Sequence, residues 1–132
     1  MPAFTYRLSA DTALQVEELV PFDVELTNQG GHYQTDNSIF ICPYDGVYAF
    51  AVHILTVHEE FASCDLMIDG TVYVNAWADE YNSFTHSSNM VVHWCSAGSQ
   101  VYVQASGYNG AVIQVRSNIF SSFSGFLLQR QL

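Results

Sequence analysis

Residues 42–55 read CPYDGVYAFAVHIL, and the reading of this stretch decides the fold. Pro43 and the pair Asp45-Gly46 are turn residues: proline presets φ, the aspartate side chain bonds nearby backbone, and glycine accepts conformations other residues resist. From Gly46 onward the side chains alternate. Tyr48, Phe50, Val52 and Ile54 make one bulky apolar face, and Val47, Ala49, Ala51 and His53 make the other. A period of two is that of a β-strand. The second face is also apolar, its residues small and His53 its one polar member. A strand apolar on both sides is buried on both, so its outer face must be covered by a loop of the same chain or by another subunit.

The same period recurs along the chain. FDVELT (22–27) sets Phe22, Val24 and Leu26 against Asp23, Glu25 and Thr27. Further short strands are predicted at SIFIC, CDLMID, TVYVNAWA, NMVVHWC, QVYVQAS and FSGFLLQ, separated by turns at NQGG, IDGT, SAGS and GYNG. Helix signals are confined to DTALQVEELV (11–20), where Asp11 would cap, yet Val16, Val20 and the following Pro21 suit an extended arm equally. Eight or so closely spaced strands without crossover helices predict an all-β antiparallel sandwich or jelly roll. With 132 residues and no repeat, linker or low-complexity segment, one domain over 1–132 is expected.

Composition excludes several functions. Thirteen acidic residues face three arginines and no lysine, a formal net charge of −10. Nucleic-acid binding depends on neutralising phosphates with Lys and Arg, so it is not expected here. Schiff-base chemistry and lysine-dependent phosphate loops are absent for the same reason. No run is long enough to span a membrane, and MPAFTYRLSADTA lacks a signal-peptide layout, so either a cytoplasmic protein or a mature domain is expected.

Cys42, Cys64 and Cys95 match no zinc spacing; they are either buried or free thiols, or one disulfide and a spare. Cys42 reads as a small buried hydrophobe, and Cys95, beside the SAGS turn, as the candidate exposed or unpaired thiol. A Cys42–Cys64 bridge has no geometric support. His58-Glu59 begins a zinc-protease motif that Ala62 ends, and His53 and His93 fall within strand patterns, a structural setting. No nucleophile elbow precedes a helix, so the chain is not expected to be an enzyme.

Phe22, Asn28, Tyr33, Phe40, Gly46, Tyr48 and Phe50 form the spaced series F-x5-N-x4-Y-x6-F-x5-G-x-Y-x-F. With FICPYDGVYAF and the closing FSSFSGFLL, it resembles the C1q-domain signature, with Val52 where the last aromatic would stand. The resemblance covers residues 4–128. It implies a ten-stranded antiparallel jelly-roll sandwich of the tumour-necrosis-factor type, assembled as a homotrimer or a trimer of related chains and acting as an extracellular, secreted binding module of innate immunity. No collagen Gly-X-Y repeat is present. The chain thus looks like the stand-alone form, some members of which are lectins for sialic acid, mannose or microbial glycans. Under this reading Val47, Ala49 and Ala51 become candidates for close subunit packing.

Two stretches carry sugar-binding chemistry, in which planar aromatics stack on a pyranose and polar groups bond its hydroxyls. WADEYNSFTHSSN (77–89) offers Trp77, Asp79, Tyr81, Asn82 and His86, and SGYNG (106–110) offers Tyr108 and Asn109. Arg116 would hold a sialic-acid carboxylate, although the net charge opposes an anionic sugar at long range. Asp79 and Glu80 resemble part of a calcium site of some C1q trimers, so Ca²⁺ is the one cofactor considered; the further acidic ligand has no counterpart here. The rival expectation is a protein-interaction module recognising a receptor or other C1q-domain chains, since aromatic-rich loops suit both.

Overall fold

The alternation around residue 50 becomes a largely buried strand of eleven residues, Gly46–Thr56. In the computed structural model, which describes residues 1–57, 60–80, 84–108 and 110–132, the strands are β1 (Ala3–Arg7), β2 (Thr12–Gln15), β3 (Val24–Gln29), β4 (Tyr33–Gln34), β5 (Ile39–Ile41), β6 (Gly46–Thr56), β7 (Glu60–Ile68), β8 (Thr71–Glu80), β9 (Thr85–Cys95), β10 (Gln100–Ala105), β11 (Val112–Val115) and β12 (Ser122–Arg130). Asn118–Phe120 form one turn of 3₁₀ helix. Two five-stranded sheets, ordered β3-β1-β12-β6-β9 and β4-β5-β10-β7-β8, face each other, and β2 pairs with β11 as a separate ribbon. The pairings are antiparallel. Ten strands thus form the expected jelly-roll sandwich.

Tyr48, Phe50, Val52 and Ile54 are all buried on the inner face of β6. Phe50 and Tyr48 stack 5.8 Å apart, and Phe4 from β1 stacks on Phe40 from β5 at 4.6 Å, joining the two sheets. The spaced signature interlocks through hydrogen bonds. Tyr33 donates its hydroxyl to the Phe22 carbonyl at 2.9 Å, while Asn28 both receives the Tyr33 N–H and donates to its carbonyl. The Tyr48 hydroxyl donates to the Tyr44 carbonyl at 2.7 Å, tying the strand to its own leading turn. Gly46 is required by proximity, because a Cβ there would collide with the backbone carbonyl of Gln129 on β12.

Three expectations are corrected or resolved. Leu26 is 52% exposed rather than core: Thr27 opposes Thr5 and Glu25 opposes Tyr6, so Leu26 is the extra residue of a bulge and the alternation begun at Phe22 breaks. Residues 12–20 form no helix; Thr12–Gln15 pair with β11, and Glu17 and Val20 donate to the carbonyls of Ala105 and Val103 beside β10. Cys95 is buried like Cys42 and Cys64, all three as free thiols. The thiol of Cys42 lies against Cys95 rather than Cys64, and donating to that sulfur, together with burial, holds Cys42 above the ordinary thiol range.

The outer face of β6 carries Val47, Ala49 and Ala51, with Phe126 of β12 on one side and Val92 and Met90 of β9 on the other. Phe126, Leu128, Met90, Val92 and Trp94 are each 44–55% exposed, so this side of the sheet is a broad apolar surface. A shallow depression of about 40 Å³ lies over Ala49 and Ala51.

Candidate functional site

On β7 and β8 the even positions Ala62, Cys64, Ala76 and Ala78 enter the core. The odd positions therefore point away from it, paired Phe61↔Asp79, Ser63↔Trp77 and Asp65↔Asn75. The Phe61 ring meets Trp77 edge to face at 4.6 Å and approaches Tyr108 at 6.0 Å. Phe61 thus bridges the two stretches that the sequence singled out. Trp77 is 52% and Tyr108 67% exposed, which makes an open aromatic platform. Gly107 allows the close approach: a Cβ there would stand 3.1 Å from the Phe61 ring, on a backbone with φ +134°.

Next to the aromatics lies a polar cluster. The Asn75 side-chain amide donates toward Asp65 Oδ1 at 2.8 Å, Ser63 Oγ at 3.0 Å and Ser106 Oγ at 3.2 Å, and the two serine hydroxyls are 2.7 Å apart. The Ser106 N–H donates to the Ser63 carbonyl at 2.8 Å, pinning the Tyr108 loop to β7. Aromatic faces beside fixed hydroxyl, amide and carboxylate groups match the two sides of a pyranose. Sequence reading missed Phe61, Ser63, Asp65, Asn75 and Ser106. For the first four the signal was the odd-numbered polar and aromatic positions of two strands whose even positions are small and apolar; Ser106 follows β10 and is brought in by its backbone bond to Ser63.

The remaining sites fall elsewhere. Asp79 is exposed near the end of β8. Tyr81, Asn82, Asn109, His58 and the side chain of Glu80 lie outside the described residues. Among the described residues no group of three or more His, Cys, Asp or Glu is placed to hold a metal, so the Asp79 and Glu80 pairing supplies Ca²⁺ with one described carboxylate and no step is assigned to the ion. His86 is on β9, in the other sheet, stacked on His53 rather than beside Trp77. Arg116 forms ion pairs with Asp11 at 2.8 Å and with Glu60. It borders a separate cavity of about 610 Å³ lined also by Leu55, Val57, Phe84 and Phe120. Its charge is already matched by two carboxylates, a poor setting for a third.

Residues 3–128 match the C1q domain. The chain belongs to the C1q-domain family. It is 33% identical over 115 residues to Caprin-2 of Danio rerio; that match spans 86% of this chain and 12% of the much longer relative. In structure it is similar to the globular domain of zebrafish complement 1qA protein, with a TM-score of 0.79 and 22% identity over 99% of this chain and 100% of that one. Eiger TNF from S. frugiperda superposes with a TM-score of 0.81 at 10% identity, over 100% of this chain and 96% of that one. At these identities the two structures establish the C1q and tumour-necrosis-factor type of jelly roll. They leave the ligand to be argued from the side chains.

Proposed function

We propose that this C1q-domain protein is a secreted, non-enzymatic lectin that binds neutral, mannose-like glycans on microbial or cell surfaces as a homotrimer, in innate immune recognition. The observation that carries this reading is the Trp77–Phe61–Tyr108 platform beside the Asn75, Ser63, Asp65 and Ser106 cluster. Neutral sugars are favoured over sialic acid because Arg116 is committed to Asp11 and Glu60 while the platform itself carries Asp65.

Trimer formation is supported by the opposite sheet. Its apolar outer face would lose water if covered by another copy, at about 25 cal/mol for each Å² of apolar surface. The outward positions of β1, β12, β6 and β9 hold no carboxylate although the chain has 13 acidic residues, so copies can meet there without like-charge repulsion. The platform lies on the other sheet and stays open in such an assembly. Three weak sites on one rigid body gain strongly in avidity on a decorated surface.

A glycan array probed with the purified chain, with calcium and again with chelator, tests the reading. Selective signal on neutral hexose glycans that disappears in a folded Trp77→Ala variant is expected. An array without selective signal in either condition removes the lectin assignment; the same open platform, with rings 52% and 67% exposed, would then favour a protein partner.

A further inference from the structure

The apolar face of β6 ends in a histidine pair. His53 opposes Ser88 on β9, and Leu55 opposes His86, so both imidazoles lie on the side of the sheet that carries Val47, Ala49 and Ala51. The two rings stack 5.7 Å apart with 11° between their planes. Across the sheet the same row continues from Ser88 through His53 to Ser122 of β12 and Arg7 of β1. Along this row the neighbours of His53 are therefore two serines and one cation, while the other edge of β9 packs against β8, which carries the exposed Asp79 near its end. At the end of β6 the Leu55 carbonyl receives the Arg116 N–H, and the carboxylates there, Asp11 and Glu60, are bound to that arginine. Among the described residues the outward positions of β1, β12, β6 and β9 carry no carboxylate to neutralise an imidazolium.

We infer that His53 and His86 make the contact between copies of this chain acid-labile: the face holds its partners when both rings are neutral and releases them when they are protonated. The inference rests on the trimer reading above and names its regulation. Closing the face buries two imidazoles per copy close to Arg7, and three copies gather up to six imidazoles without a counter-charge. Burial, with the neighbouring His86 second, already lowers the pKa of His53 within a single chain. A base whose pKa is lower in the assembled than in the separated state binds fewer protons when assembled. Assembly is therefore fully favoured above the His53 pKa of the separated chain, which itself lies below the ordinary histidine value, and weakens as pH falls through and below it. The stacked rings also repel each other directly once both are charged.

The test is sedimentation of the chain at pH 7.5 and pH 5.0, with far-ultraviolet circular dichroism at each pH. A trimer at pH 7.5, smaller species at pH 5.0 with the β spectrum intact, and recovery on neutralisation are expected, with the dissociation constant rising by about a hundredfold or more. The His53→Gln/His86→Gln chain should stay trimeric at both. Because His53 is half-buried and its replacement could disturb folding, His86→Gln alone serves as the second variant and should lose a large part of the response. A trimer at both pH values overturns the switch and leaves the trimer standing. A monomer at pH 7.5 overturns the trimer reading and the switch with it. Equal dissociation of wild type and both variants, or loss of the β spectrum at the dissociating pH, overturns the histidine assignment.

Discussion

Phe61 and Trp77, on neighbouring strands and two residues out of direct register on the same face, meet edge to face with ring centroids 4.6 Å apart. The ring planes stand 73° apart and half of the Trp77 side chain is exposed, so aromatic surface remains available to a planar or apolar ligand surface.

Replacing Trp77 by Ala should therefore abolish glycan binding at little cost in stability. The side chain is half exposed and loses mainly its ring contact with Phe61, a cost of about 1 kcal/mol. Phe61→Ala should weaken binding and also destabilise the chain by roughly 1–3 kcal/mol, because that ring supports both Trp77 and the Gly107 backbone. Titration calorimetry with a mannose oligosaccharide beside urea unfolding separates the two. Unchanged affinity in both variants would move the ligand away from this platform.

The sandwich was legible because β6 alternates bulky and small side chains from Val47 to Ile54 and the aromatic spacing repeats that period. Leu26 was misread because a bulge adds one residue without changing composition, and a one-residue slip turns a side chain to the other face. The site was half legible. Trp77 and Tyr108 stood out by residue type, but their meeting depends on β7 lying between β8 and β10, a long-range pairing that no local pattern encodes. Arg116 was misplaced for the same reason, since its partners Asp11 and Glu60 are 105 and 56 residues away in the chain.

Tyr33→Phe should cost about 1–2 kcal/mol in urea unfolding. The change leaves the Phe22 carbonyl, buried with it, without its donor, while the ring packing against Tyr6 at 4.1 Å is kept. A variant as stable as wild type would show that water satisfies that carbonyl.

Gly125→Ala should be worse despite adding a single methyl. A Cβ at Gly125 would stand 2.5 Å from Phe50 Cδ1 and 2.6 Å from Phe4 Cε1, and both rings are fixed in the core. Overpacking of this kind costs roughly 1–3 kcal/mol or more. Thermal melting compared with Gly98→Ala, which meets no atom within 4 Å but has φ +90°, distinguishes crowding from backbone strain: the larger loss is expected at Gly125.

Acid should weaken the β2–β11 corner through Asp11. Its carboxylate accepts the Ser117 N–H and hydroxyl, each at 2.8 Å, and pairs with Arg116; these bonds hold it at about 2, below the ordinary 3.8. A depressed carboxylate contributes its stability above pH 3.8 and loses it as pH falls towards 2. Asp11 is half exposed, so screening limits the effect to about 1 kcal/mol or less. Asp11→Asn should flatten the urea midpoint between pH 4 and 2 relative to wild type, and parallel curves would exclude the assignment.

Val92→Glu should convert the proposed trimer into folded monomers. Val92 is 51% exposed, so a glutamate there is accommodated in the single chain, and it lies opposite Ala49 at the middle of the apolar face. Covered by another copy, the same carboxylate would be buried without a partner, at a cost of several kcal/mol in each of three contacts. Ala49→Glu is the more severe change, since Ala49 is only 3% exposed between Val92 and Phe126, and part of its effect would fall on folding itself. Val47→Glu, half-buried on the same face, provides an independent second position. Sedimentation at pH 7.5 should give monomer mass for Val92→Glu and Val47→Glu with an unchanged circular dichroism spectrum. If both sediment as wild type does, copies of the chain meet through some other surface, and the apolar face of β6, β9 and β12 must be covered by a different partner.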